Sequence, residues 1–322
     1  MSLASPQTQP TEQLADAPFD DAQADLILRS SDEVPVHFRV FKKILSPASP
    51  VFADMFNIPS PPSTKPHDDV QVVPLSEHST ALDIALRHIY PVQRTPPPNA
   101  DNLHYARILA EFARKYQVGQ LDQFCMGYLA GSIECDPVGV YAIAVTHGYD
   151  DIGRKAAQSC LNVPFYDLRS PYLPYATAEH ISELLRYHVA CGDAASSVAS
   201  SDRSWILQST SDLHCHLCAV TVFIHQTSPG EPIYSITITP KTMMSDYLLL
   251  ETTQVPRAVW TYLHRSTLVL AHHPTPEAVT AEAFVLKTNG CHKCAQRMPR
   301  YMVEISVLFG RAIKNAIEQV SL

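Results

Sequence analysis

Four residues of the 322-residue chain have types and spacing that could do chemistry: two Cys-x-x-Cys pairs, Cys215/Cys218 and Cys291/Cys294. A two-residue gap lets both sulfurs of a turn face one ion, and four soft ligands complete the tetrahedral shell that zinc prefers. The pairs are separated by 72 residues, against about 15–20 in an ordinary zinc ribbon. A shared site therefore needs the intervening elements to bring the pairs together. The expectation is one structural zinc held by all four thiolates; the alternative is thiols that stay unliganded or oxidise. His214, His216 and His292 interleave with the pairs and could replace a thiolate or support one. The simpler reading makes them turn residues, because four thiolates already fill the shell. A catalytic zinc would want an open position and a carboxylate base, and the sequence shows neither.

The elements around the pairs read as a C-terminal module from about 205 to 322. Strand-like runs at 219–225 (AVTVFIH) and 233–239 (IYSITIT) flank Ser228-Pro229-Gly230 and predict a hairpin. Helices are predicted at 256–271, 276–286 and 302–320, the last with Ile305, Leu308, Phe309, Ala312, Ile313, Ala316 and Ile317 on one stripe. Residues 192–204 (GDAASSVASSDRS) are small, polar and Ser-rich, and read as a linker or long loop. Residues 131–191 read as a helical extension, with Asp136-Pro137 starting one helix.

The first 19 residues are polar and contain Pro and Gln, which predicts a disordered tail with order beginning near Asp20. Residues 24–30 (ADLILRS) and 36–40 (VHFRV) predict a hairpin. A short helix should follow, broken at Ser46-Pro47, then a second that Ser49 caps with Pro50 at its first position. After a Pro-rich loop at 57–69 come a third strand at 70–75, a helix through Tyr90, a second Pro-rich loop at 91–99, and a helical pair over 102–117 and 118–131. Short strands followed by paired helices make the fold class α+β rather than alternating βαβ.

These residues carry a resemblance. The segment ADLILRSSDEVPVHFRVFKKILSPASPVFADMF resembles the opening of the BTB/POZ domain of the fungal, basidiomycete type, through Ala24–Leu28, Phe38, Val40, Lys42, Ile44-Leu45-Ser46, Ser49-Pro50-Val51-Phe52 and Met55-Phe56. VVPLSEHSTALDIALRHIYP resembles that family's later strand and helix, and the helix ending Ala113-Arg114-Lys115-Tyr116 its Ala-x-Lys-Tyr step. The resemblance covers residues 20–130 and implies a three-stranded sheet with helices whose apolar surface a second copy covers, giving a homodimer. It implies interaction roles for Asp25, Phe41, Lys42, Phe52 and Tyr116. It also implies adaptor work with a cullin ubiquitin ligase or recruitment of transcriptional partners, none of which needs a catalytic residue. The C-terminal module resembles the same family's, where two such cysteine pairs recur. One position departs: the family's usual His before the Lys of the first helix is Phe41 here, so Asp25 needs another partner, and Lys42 or Lys43 is expected to supply it.

Composition bounds the remaining options. The chain carries 24 basic and 32 acidic side chains, a net of −8, which argues against a surface that grips phosphate backbones. Of the C-terminal basic residues Lys293, Arg297, Arg300, Arg311 and Lys314 only the first three cluster, with the single aromatic Tyr301 beside them, so nucleic acid is not the expected partner. There is no run of about 18 apolar residues and no basic, apolar leader, so neither a membrane span nor a secretory route is expected. Free thiols fit a reducing compartment, cytoplasmic or nuclear. Cys125, Cys135, Cys160 and Cys191, outside the pairs, are expected as small core residues in helices. No phosphate-binding glycine loop, nucleophile elbow or HExxH occurs, so the expectation is a non-enzyme that binds other proteins.

Overall fold

The computed structural model describes residues 13–57, 70–91, 103–200, 219–223, 252–280 and 292–322. The architecture is mixed α+β, mostly helical, with a four-stranded sheet. It divides into two compact units, Met1–Ala156 with Ser170–Thr177, and Ala157–Arg169 with Ala178–Leu322. The division differs from the expected boundaries. The first unit does not stop at 130, and the stretch read as one helical extension is shared between the two.

In the first unit β2 (Leu26–Arg29) and β3 (Val36–Val40) form the expected antiparallel hairpin, with Leu26 opposite Val40 and Leu28 opposite Phe38. All four side chains are buried, as the two-residue period of a half-buried strand requires. β4 (Gln71–Pro74) pairs parallel with β2 on its other side. The sheet order is β1-β3-β2-β4, one strand more than expected. The extra strand, β1 (Gln13–Leu14), comes from the stretch read as a disordered tail and pairs parallel with β3. Phe19 is fully buried there, its ring edge-on to Tyr90 at 5.3 Å and under the Arg87 guanidinium at 5.4 Å. Two paired residues are too few to show alternation, and a single aromatic anchor does not register in a polar composition.

α1 (Lys42–Ala48) runs through Pro47, so the break falls at Ser49 rather than at Ser46-Pro47. α2 (Pro50–Asn57) starts as expected: the Ser49 hydroxyl oxygen accepts from the Phe52 N–H at 3.0 Å and donates to the Tyr116 carbonyl. This cap satisfies an N–H that the helix cannot. α3 (Ser79–Ile89) is capped from outside. Its N-cap residue, His78, makes no capping bond, and the Asp32 carboxylate of the β2–β3 turn accepts from the Ser79 N–H at 2.7 Å and the Ser79 hydroxyl at 3.1 Å. The Ser30 hydroxyl, followed by these groups and His78, holds the Asp32 carboxyl at about 2, against an ordinary 3.8. A depressed carboxyl contributes stability that is full above its unfolded pKa and is lost as pH falls through the folded one. Asp32→Ala is therefore expected to cost about 1–2 kcal/mol at pH 7, with the difference from wild type shrinking to about half by pH 3. Urea midpoints at the two pH values check this; a difference that grows on acidification would refute it.

α4 (Leu103–Tyr116) and α5 (Gly119–Ser132) form a helical hairpin, its turn held by Gln117 at φ 53°. α6 (Pro137–His147) has Asp136 as its cap, which accepts from the Gly139 N–H at 2.8 Å, and it buries Val138 through Ala144. α7 (Asp150–Cys160) follows after Gly148, whose φ of 78° ends α6. Residues 170–177 return to the first unit: the Ser170 hydroxyl donates to the second Asp136 oxygen at 2.7 Å, and the Tyr175 ring lies 4.5 Å from the Arg107 guanidinium.

The second unit contains α8 (Ala178–Ser200), α9 (Arg257–Leu270), α10 (Pro276–Thr280) and α11 (His292–Glu318). Its core joins Ala195, Val198 and Ala199 of α8 to Tyr262 and Leu263 of α9 and to Ile305, Phe309 and Ile313 of α11. The expected linker is thus corrected. Residues 192–200 are the last turns of α8, and residues 201–204 lie outside the described residues. Small side chains that look like linker composition instead let helices approach: the Gly192 backbone lies against Ala271, and the Ser196 hydroxyl donates to the Thr267 carbonyl at 3.1 Å. α11 begins ten residues before the predicted start. β5 (Ala219–Phe223) pairs antiparallel with β6 (Thr252–Pro256), a strand not anticipated, while the partner run expected at 233–239 lies outside the described residues. So do the Pro-rich segments at 58–69 and 92–99 and the last residues of the helix predicted to end at 286.

Candidate functional site

The Asp25 corner is built by β2, α1 and β4. Asp25 is exposed just before β2 and accepts from the Lys42 N–H at 2.8 Å, at the first position of α1. The expected partner residue is present, but the atom is the backbone amide. The Lys42 ammonium instead donates to Gln71 on β4 at 2.7 Å and lies 5.8 Å from the Phe56 ring. A carboxylate at a helix N-terminus satisfies an orphan N–H and meets the positive end of the dipole, so Asp25 needs no second side chain. Phe41 is half-buried: its ring meets the Lys43 ammonium at 5.1 Å, and its N–H donates to the Tyr90 hydroxyl at 2.7 Å. Tyr90 is the participant that sequence reasoning missed. Burial pushes its hydroxyl up to about 12. Only its place at the end of the α3 pattern hinted at it.

Phe52 and Tyr116 lie elsewhere. They are 0% and 3% exposed, and their rings stack at 4.6 Å and 8° beside Phe112 and Phe56. The Tyr116 hydroxyl donates to Glu77 at 2.7 Å, and Glu77 also pairs with Lys115. Burial, then the Glu77 contact, raises the Tyr116 hydroxyl above its ordinary range. These two side chains are interior and present nothing to a partner chain, which corrects their reading as interaction residues. Among the described residues of this unit, exposed apolar side chains include Leu14 on edge strand β1, Val72 on edge strand β4, Val34, Met126 and Tyr175, which are 38–50% exposed.

Of the isolated cysteines, Cys125, Cys160 and Cys191 are buried as expected, and burial pushes the Cys125 thiol up to about 12. Cys135 is exposed in the turn between α5 and α6, contrary to expectation, because the helix ends three residues before it. Cys215, Cys218 and Cys291 lie outside the described residues, as do His214 and His216; Cys294 and His292 fall in the first turn of α11. Among the described residues no group of three or more His, Cys, Asp or Glu is placed to hold a metal, and no helix is long and apolar enough to cross a membrane. No protein-family model matches the chain, and no curated protein sequence matches it significantly.

Proposed function

We propose that the chain is a protein–protein interaction protein of BTB/POZ type, self-associating through residues 20–130. The observation that carries this reading is the element order of the first unit. A β-hairpin, a capped helix pair, a strand parallel to the first hairpin strand, a helix ending at Tyr90-Pro91 and a helical hairpin whose first arm ends at Tyr116 occupy the positions that carry the resemblance. Exposed Leu14 and Val72 on the two edge strands add apolar surface where a second copy could pair. Light scattering of the full chain tests the reading: twice the chain mass is expected, and a monomeric mass at micromolar concentration overturns it. Work as a cullin adaptor is the alternative, separated by co-purification with a cullin. A transcriptional role through DNA would require affinity that falls steeply with salt.

The proposal includes a structural zinc held by Cys215, Cys218, Cys291 and Cys294. In support, α11 begins at His292, so Cys294 falls in its first turn, where a thiolate is favoured. Metal analysis by mass spectrometry is expected to find one zinc per chain, lost in Cys215→Ser and in Cys291→Ser. Metal-free protein with eight titratable thiols would reduce the pairs to ordinary cysteines.

A further inference from the structure

His188, in α8, is fully buried. Its Nε2 lies 3.1 Å from the Val163 carbonyl, which can only accept, so Nε2 carries a proton, and in the neutral ring that burial favours Nδ1 is the bare nitrogen. That Nδ1 is buried and makes no hydrogen bond of good geometry. The ring packs edge-on against Phe165 at 5.6 Å. Across the same contact the Phe165 N–H donates to the His272 carbonyl at 2.8 Å, and Tyr166 lies against the His272 ring at 6.4 Å. Three segments of the second unit therefore meet at one imidazole: residues 161–166, α8, and the turn after α9.

We propose that this junction is a proton-sensitive latch, closed while His188 is neutral and opened by protonation of His188, which releases residues 161–166 from α8 and from the 272–273 turn. A charged ring here would need an acceptor for Nδ1–H and would be cut off from water. The titratable groups acting on it do not offset this. His272 and His273 oppose a positive charge, Tyr187 and Cys191 flank it on α8 as neutral groups, and Asp167 and Arg169 on the facing segment are exposed. Burial accordingly lowers the His188 pKa from its ordinary 6.5. In the open form the ring returns to water and titrates normally. The closed state thus binds fewer protons than the open one: its stabilisation is complete above pH 6.5 and declines as pH falls below it.

The Phe165 amide reads the latch directly, because its acceptor is on the 272–273 turn. Hydrogen exchange on the full chain, corrected for intrinsic chemistry, is expected to show Phe165 protection constant from pH 8 to 7. Below pH 6.5 protection should fall by up to about tenfold per pH unit. In His188→Gln, whose amide still reaches the Val163 carbonyl but does not titrate, protection is expected to be flat across the same range. A flat wild-type profile, or an equal fall in the variant, overturns the proposal. Should the variant fail to fold, the His188 ring signal in wild-type protein decides: titration below 6.5 supports the latch, and titration at or above 6.5 overturns it.

Discussion

Gly192→Ala is expected to lower the stability of the second unit by about 2–3 kcal/mol, although alanine is the better helix former by about 0.5–1 kcal/mol. A Cβ at residue 192 would lie 2.5 Å from the Ala271 carbonyl oxygen and 3.2 Å from its carbon. The obstacle is backbone, which no rotamer change removes, so α8 must move away from the end of α9. That movement loosens the Ala195, Val198 and Ala199 contacts with Tyr262, Leu263 and Phe309. The same chemical change elsewhere should have the opposite sign. Gly127 of α5 has nothing within 4 Å of an added Cβ and is exposed, so Gly127→Ala is expected to stabilise by about 0.5–1 kcal/mol. Trp260 lies in α9 of the second unit, so tryptophan fluorescence in a urea titration follows the Gly192 variant. Two variants shifting in the same direction would show that the close helix approach is not what holds residue 192 as glycine.

That glycine also marks where sequence reasoning stopped. In 192–200 the small, polar residues offered no apolar stripe wide enough to read as helix, yet smallness is what a close helix crossing requires. The reverse held at Ser49 and Asp136, where a capping side chain followed by Pro at the next position is a local signal, and both helices start there. The α4–α5 hairpin was equally legible, since long runs of 3.6-residue periodicity need no partner to be recognised. Pairing between distant segments was not. The β1–β3 and β5–β6 ladders join short stretches far apart in the chain, and nothing local in Gln13-Leu14 or in residues 252–256 names its partner. At Asp25 the partner residue was legible and the atom was not: charge matching points to an ammonium, whereas the start of α1 presents an unsatisfied N–H closer to hand.

The other large effect separates fold from assembly at a position where the two are easily confused. Phe52→Ala is expected to cost about 3–5 kcal/mol, because the ring is fully buried and is stacked on Tyr116 at 4.6 Å with Phe112 and Phe56 beside it. The vacated volume has little means to collapse: Tyr116 is tethered through its hydroxyl to Glu77 and through its carbonyl to Ser49, which also caps α2. The loss should register in hydrogen exchange across the first unit, with a size independent of protein concentration. An interface residue would behave differently. Its removal would leave the protection of the isolated chain intact while shifting the mass towards monomer on dilution. Val72, 46% exposed on edge strand β4, is the contrasting site. Val72→Lys should leave the fold within about 0.5 kcal/mol of wild type and should weaken self-association if that edge takes part in it. A concentration-dependent defect in Phe52→Ala with wild-type protection would return Phe52 to the partner surface and contradict its interior placement.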